Sequence, residues 1–543
     1  MQSKTMVIAA MGDCVHVAGI NRFMNLAEQN GWKVIYLGPA VSVKEISKAA
    51  RENQADLVAV SYRLTPENGE KLFGELAEEM DDLYRAGVRF AFGGTPPLAA
   101  RAEKFPLFEK VFHGGEGPEV AINYLRGEGK ADGAHAIPPQ NTIERIQWKQ
   151  PYPLIRHHFG LPTMEASLEG IRQIAESGAL DVISLGIDQD AQENFFHPER
   201  QNPASRGAGG VPVRSREDYE QLYLASRSGN YPIMRTYSGT DDFIRLAEMY
   251  METIQNAWCA IPLFWFNQMD GRGPWDLAGS IREHQKVMQW YGERNVPVEL
   301  NEPHHWGMRD APDVIFAVSA YLAAYNARAF GVKDYIAQLM FNSPPDQSDA
   351  NDLAKMAAIL EMIQPLENAN FRIWKQTRTG LLSYPVDEPE AMGHLASSVY
   401  LQMALKPHII HVVGHSEAHH AATGLDVITA ARITLRSIDK AIQGVPSLLA
   451  DPLVQQRKDE IVCEAKVTLK AISNLADTST ADPWTDAEVL TRAVQTGMMD
   501  APQLRNNPFA RGAIRTRIVG GACVAVDADM KPIDETTRLK EWL

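Results

Sequence analysis

Met6-Val7-Ile8-Ala9-Ala10 runs into Gly12-Asp13-Cys14-Val15-His16-Val17-Ala18-Gly19, and a helix-like run over 22–30 leaves it. The apolar run reads as a strand, so a His with an Asp three residues upstream sits on a strand-to-helix turn. Open α/β sheets bind ligands at such turns. A neutral imidazole there can ligate a metal, and a nearby carboxylate can fix its tautomer. The same residues also fit a plain polar loop, so the rest of the chain has to decide.

The pattern repeats downstream. Strands read at 6–10, 33–37, 57–61, 89–92 and 110–113, with helical patterns near 22–30, 43–53, 69–86 and 118–125. Strands alternating with helices in this way predict an α/β fold, a doubly wound parallel sheet over residues 1–130. His16 follows the first strand, Ser61 ends the third, Gly93-Gly94 end the fourth and His113-Gly114-Gly115 end the fifth. Glycines at a strand end let a flat or bulky ligand lie against the backbone. Turns use glycine just as routinely, but four such features at one sheet edge favour a ligand.

The 543 residues are 45% hydrophobic and 22% charged, enough apolar material for large cores and, by length, for about three domains or one small domain plus a barrel. The net charge is −15 with no block of Lys or Arg, which argues against a nucleic-acid partner. Cys14, Cys259, Cys463 and Cys523 are scattered without a CxxC pair, so neither a zinc knuckle nor a disulfide framework is indicated. Free thiols fit a reducing cytoplasm. No signal peptide reads at the N-terminus, and no apolar run is long enough to span a membrane.

The first domain resembles the cobalamin (vitamin B12) binding domain shared by B12-dependent mutases and methionine synthase. That signature, DxHxxG then SxL then GG, is matched by Asp13…His16-Val17-Ala18-Gly19, by Ser61-Tyr62-Arg63-Leu64-Thr65 and by Gly93-Gly94-Thr95. His16 and Ser61 are 45 residues apart, Ser61 and Gly93 are 32 apart, and both spacings suit the family. Two departures stand out: one extra residue separates Asp13 from His16, and Arg63 stands where Leu is usual. The resemblance implies a flavodoxin-like fold. It implies that His16 is the lower ligand of the cobalt, replacing dimethylbenzimidazole, and that Asp13 orients it. Ser61, Leu64 and Thr65 would meet the displaced tail, and Gly19, Gly93, Gly94 and Gly114 would line its slot.

Residues 131–160 carry Gly133, Pro138-Pro139, Pro151 and Pro153 without periodicity and read as a linker. Over 161–440, strands read at 180–186, 232–237, 261–267, 297–302, 335–341, 371–375 and 409–414, with helices such as 311–330 and 352–363 between them. A (β/α)8 TIM-type barrel is the natural architecture, its eighth strand not found. Polar residues crowd the predicted strand ends, among them Arg235, Glu302, His304-His305, Lys375 and the run from His415 to His420 with Glu417. Converging on one mouth, they would make an active site. Arg235 has the fork that suits a carboxylate, and Glu302 could serve as a general base or only order a loop. The His clusters could also bind a metal of their own. Residues 441–543 read as helices, then a β-hairpin about Gly520-Gly521, with packing or a subunit contact as their role.

The barrel resembles those of adenosylcobalamin-dependent mutases, the glutamate mutase large subunit in particular. Residues 232–240 resemble the segment whose Arg grips a substrate carboxylate, and Arg235 is the matching position. Residues 372–377 resemble the segment whose Lys touches the adenosyl ribose, so Lys375 is implied there, with Thr379 where the family has Glu. Residues 415–423 resemble the barrel subunit of lysine and ornithine aminomutases. Those enzymes hold pyridoxal phosphate on a Lys shortly after the His motif, but residues 20–31 contain no Lys, so pyridoxal phosphate is not supported.

The expectation is therefore an adenosylcobalamin-dependent isomerase acting on a small carboxylate or amino acid. Arg235 would hold the carboxylate, and Glu302, His304, His415 and Glu417 would handle further polar groups. Alternatives are a methylcobalamin-dependent methyl carrier and a cobalamin sensor. A homodimer is expected, with a second subunit as a further partner.

Overall fold

The computed structural model describes residues 4–127 and 137–543. The chain divides into two compact units, Met1–Ile137 and Pro138–Leu543.

In the first unit β1 (Thr5–Met11), β2 (Lys33–Val41), β3 (Leu57–Tyr62), β4 (Arg89–Gly94) and β5 (Lys110–Phe112) form one parallel sheet in the order β2-β1-β3-β4-β5. β3 is buried along its whole length and β1 after its first residue, as their unbroken apolar runs require of central strands covered on both faces. The strand order reverses between β1 and β3, so the crevice at their C-terminal ends is the switch point of the fold. Ser61 pairs with Ala10 on one side and Gly93 on the other, which brings the three sequence features to one edge.

The second unit is a nearly closed barrel of eight parallel strands: β6 (Leu154–Phe159), β7 (Val182–Leu185), β8 (Ile233–Thr236), β9 (Cys259–Ile261), β10 (Val298–Leu300), β11 (Asp334–Phe341), β12 (Arg372–Thr379) and β13 (Ile409–Val412). Neighbours follow the order β8-β7-β6-β13-β12-β11-β10-β9. The strand missing from the sequence reading is β6, inside the segment read as a linker. Its inward positions carry Arg156 and His158 and Pro151 and Pro153 precede it, so it lacks the apolar pattern of a buried strand. Residues 131–136 of that segment lie outside the described residues, and the rest contains β6 and the helix Thr142–Lys149. β9 ends at Ile261, where the expected strand over 261–267 begins, because Pro262 has no N–H to continue the ladder and 262–267 become a loop.

The seam between β8 and β9 lacks a strand ladder. It is bridged by the Ala257 N–H on the Met234 carbonyl (2.8 Å) and by the Thr236 N–H on Asn256 Oδ1 (3.1 Å). The N-terminal end of the barrel is closed by the helix Thr142–Lys149, whose first turn is capped by Asn141 Oδ1 accepting from the N–H groups of Ile143 and Glu144. Its Ile146, with Ile143, packs on Leu154, Val182, Ile233, Trp258, Ile336 and Ile409, a dry plug across the barrel floor. Each such side chain contributes about 1.5–3 kcal/mol.

The last hundred residues pack on the barrel. The helix Pro452–Ser473 shares a core with the helices Asp313–Ala329 and Asp349–Ile363. β14 (Thr516–Val519) and β15 (Ala522–Ala525) form the expected hairpin, with Gly520 and Gly521 both at positive φ as its tight turn demands. Among the described residues, no helix is long and apolar enough to cross a membrane.

Candidate functional site

At the C-terminal edge of the first sheet lies a cleft of about 390 Å³, lined by His16, Gly19, Ser61, Gly93, Gly94 and Gly114 among others. The turn that presents His16 is tied down. Gly12 takes φ +67°, its N–H donates to the Val41 carbonyl (2.8 Å), and the Cys14 carbonyl accepts from Ala40 N–H (2.9 Å). Only then does the helix Ala18–Gln29 begin. His16 is exposed at the cleft rim.

The structure corrects the role expected of Asp13. Its carboxylate makes no hydrogen bond to His16 among the described residues. Burial, and after it the charge of Asp13, raise the Tyr62 phenol instead. The side chain beside His16 is Cys14, with Sγ 3.8 Å from Nδ1. Leu64 and Thr65 are exposed and lie outside the cleft, which Arg63 lines instead. Side chains alternate along an extended segment, so the residue next to Ser61-Tyr62 turns where Leu64 was expected.

The cleft suits a bulky tail. Ser61 Oγ is buried there without a hydrogen-bond partner, an acceptor and donor waiting for a ligand. A Cβ on Gly93 or Gly114 would meet nothing within 4 Å, so a side chain at either position would project into open space. Glu116 holds the last glycine loop in place by accepting from the N–H groups of His113 and Gly114, each at 2.8 Å. The residues present therefore fit the cobalamin implied by the motif.

Inside the barrel, above the apolar plug, the inward positions are polar. Arg156 NH1 donates to Glu299 Oε2 (2.6 Å) and Gln376 Oε1 (2.9 Å), and Trp258 Nε1 donates to the same Glu299 oxygen (2.7 Å). Burial opposes ionisation of Glu299 most strongly. Even so, the charges of Arg156 and Arg235 and the bond from Trp258 hold it down at about 2. Burial and the charge of Arg235 press Arg156 down to about 9, still protonated at neutral pH.

Two further guanidinium groups share this space. Arg235 is fully buried, donates from Nε to Ser184 Oγ (3.0 Å) and lies 5.3 Å from the ring of Tyr237 and 5.9 Å from that of Trp258. Arg378 is also buried, with only a long bond from Nε to the Thr379 carbonyl (3.4 Å). Neither has a carboxylate partner among the described residues. Between them, His158 stacks on Tyr237 at 5.2 Å, and its Nε2 lies 3.2 Å from the Tyr237 hydroxyl and 3.4 Å from Arg156 NH2. Arg156 can only donate, so Nε2 accepts and the proton sits on Nδ1. Burial and the charges of Arg156, Arg235 and Arg378 keep His158 well below the usual histidine range, hence neutral. His411 is neutral for the same reasons, and both of its ring nitrogens lack partners. Among the described residues the chamber thus holds three cationic groups and one buried carboxylate, with the charge of exposed Glu417 also felt by Arg378. Buried charges need partners, so the chamber is electrostatically suited to an anion.

The other expected residues divide. His304 is buried, stacks on His305 at 4.5 Å and has an unpartnered Nδ1. Burial and the charges of Arg378, Arg309 and Arg272 hold it well below the usual range. His415 is buried, its Nε2 3.7 Å from Glu388 and 3.8 Å from Asp426, while Glu417 is exposed. Glu302 is committed to structure: Oε2 accepts from the N–H groups of Leu263 (2.6 Å) and Phe264 (3.0 Å), and Oε1 from Trp306 Nε1 (2.6 Å). It fastens the loop after β9 rather than facing a substrate, and burial pushes it up to about 7.

Lys375 is a second correction. β12 runs on to Thr379, so Lys375 lies in mid-strand between inward positions, and its Nζ donates to the Leu405 carbonyl (2.5 Å) before β13 starts. That is the N-terminal end of the barrel, opposite the strand ends where the sequence places it. Neither His304-His305 nor the run from His415 to His420 gathers into a metal-ligand set. Among the described residues the single such set is His197, Asp241 and Asp242. There His197 Nε2 already bonds Asp242 (3.0 Å), which also meets Arg245.

Arg156, His158 and His411 are not picked out by the sequence, and Glu299 and Arg378 stand there only as members of the polar runs at the ends of the fourth and sixth predicted barrel strands. The period-2 alternation Trp374, Gln376, Arg378 carried the signal for one of them, once β12 is extended to Thr379.

Comparison with known proteins agrees with the first unit. The B12 binding domain family matches residues 4–123. Glutamate mutase sigma subunit 1 of Haloarcula marismortui is 30% identical over 127 residues, which cover 23% of this chain and 84% of that protein. Sigma subunit 2 of the same organism is 27% identical over 159 residues, covering 26% and 97%. A cobalamin-binding protein from Desulfitobacterium hafniense is a structural neighbour at 20% identity and TM-score 0.20, covering 24% of this chain and 60% of that one.

Proposed function

We propose that this chain, which belongs to the B12 binding domain family through residues 4–123, is an adenosylcobalamin-dependent isomerase of a small carboxylate or amino acid. The observation that carries the reading is the pair of buried, carboxylate-free guanidinium groups, Arg235 and Arg378, in a chain that also has a glycine-walled cleft behind an exposed His. The relatives named as mutase subunits support it.

Bound adenosylcobalamin would supply a carbon-centred radical by homolysis of its cobalt–carbon bond, able to take a hydrogen from the substrate and return it after rearrangement. His16 would ligate the cobalt, and the cleft with Ser61, Gly93, Gly94 and Gly114 would hold the tail. In the barrel, Arg235 and Arg378 would take the substrate carboxylate, with fork geometry and low local dielectric both in their favour. Glu299 keeps Arg156 occupied, so the substrate meets two free cations and not three. Neutral His158 and His411 offer ring nitrogens without adding charge. The Ile143–Ile146 plug bars water from the floor, which protects a reactive carbon centre from quenching.

The test is an EPR spectrum of the full chain with adenosylcobalamin and a panel of small carboxylates and amino acids. A substrate-dependent radical signal that disappears in Arg235→Ala is expected. Cob(I)alamin methyl-transfer chemistry without any such signal would overturn the proposal in favour of a methyl carrier.

A further inference from the structure

We infer that Cys14, and not Asp13, is the residue that positions His16, and that its thiol makes the imidazole a weaker lower ligand than a carboxylate would. The inference rests on the reading of His16 as the cobalt ligand and asks what controls that ligand.

The geometry is specific. Cys14 is fully buried and its Sγ lies 3.8 Å from His16 Nδ1. Its backbone is held at both ends, the N–H on the Met11 carbonyl (3.3 Å) and the carbonyl under Ala40 N–H (2.9 Å). Gly12, two residues before, is tied too, its N–H donating to the Val41 carbonyl (2.8 Å). The turn therefore cannot rotate to exchange one side chain for the next. Asp13 stays outside, exposed, with its charge felt by Tyr62.

The chemistry follows from the ring. For Nε2 to offer a lone pair to a metal, the proton must sit on Nδ1, and Nδ1–H needs an acceptor. A carboxylate accepts strongly, draws the proton toward itself and raises the donor strength of Nε2. Sulfur is a weak acceptor. Cys14 thus fixes the tautomer and ring orientation without adding negative charge. The extra residue after Asp13 replaces a charged partner by a neutral one, and His16 should release more readily when the metal is reduced to a state that holds no lower ligand.

The experiment uses the full chain loaded with cob(II)alamin. The nitrogen splitting in its EPR spectrum reports imidazole coordination, and a redox titration gives the Co(II)/Co(I) midpoint. His16→Ala must lose the splitting. If it does not, the reading of His16 fails and takes the inference with it. Given that loss, Cys14→Asp is expected to make the five-coordinate Co(II) form about tenfold harder to reduce, a midpoint about 59 mV lower for one electron. Cys14→Ala should shift the midpoint the other way and leave part of the sample without splitting. Cys14→Ser, close in volume to the native side chain, guards against misfolding and should fall between the native chain and Cys14→Asp. Asp13→Asn should change nothing. A midpoint that moves with Asp13→Asn and stays fixed in the Cys14 variants overturns the inference while leaving His16 in place.

Discussion

Glu299→Gln is the most informative change to the barrel. Glu299 is the one buried carboxylate among Arg156, Arg235 and Arg378 in the described residues, and its environment holds it at about 2 against an ordinary value of 4.5. A folded value below the unfolded one means that ionised Glu299 stabilises the fold above about pH 4.5. That stabilisation disappears as pH falls through about 2. The difference of roughly two and a half pH units corresponds to about 3 kcal/mol. This agrees with the roughly 3–5 kcal/mol lost when one partner of a buried ion pair is removed. Urea denaturation of the native chain and of Glu299→Gln at pH 7, 5, 4 and 3 is the assay. The variant should be about 3 kcal/mol less stable at pH 7 and should converge on the native chain as the pH drops. Equal stability at pH 7, or a gap that does not narrow in acid, would refute the assignment of Glu299 as the counter-charge of the chamber.

Three further outcomes are expected. Arg378→Ala should weaken the carboxylate substrate at least tenfold, read as KM or as Kd by calorimetry, because a charged hydrogen bond contributes about 1.5–3 kcal/mol; unchanged affinity would remove Arg378 from the site. Ile146→Ala should cost about 3 kcal/mol of stability by opening a cavity in the barrel floor, and a loss under 1 kcal/mol would mean that the plug is not packed as described. Gly93→Val should fill the cleft without disturbing the sheet. Cobalamin affinity should then collapse while cobinamide, which lacks the nucleotide tail, still binds, and equal losses for the two would place the tail elsewhere.

The first unit was legible because its strands are covered on both faces: 57–61 and 89–92 are apolar runs bounded by turn residues, and their ends carry the His, Ser and Gly that the site needs. The barrel was legible only where its interior is apolar. β6 was lost because a strand that contributes Arg156 and His158 to a polar chamber has the composition of a linker. Lys375 was preferred to Arg378 because the end of β12 was set four residues short, and every inward position follows from that end. Asp13 was preferred to Cys14 because spacing along the chain says nothing of which way a tight turn throws its side chains. That direction is decided by Gly12 and the bonds to β2. Glu302 kept its place at a strand end, and only the contacts with Leu263, Phe264 and Trp306 reveal that both of its oxygens are already used.

The seam between β8 and β9 has a mechanical consequence. A ring of eight fully laddered strands can widen only by stretching every junction together. Here one junction rests on a single backbone bond and one asparagine, so compliance is concentrated there. Arg235 stands on β8, at the edge of that weak joint, while Arg378 stands on β12, in the stiff arc of the ring. A change at the joint therefore acts on the strand that carries Arg235 and leaves the ladder that carries Arg378 intact. One guanidinium group thus stands beside the barrel's weakest junction and the other within its continuous ladder.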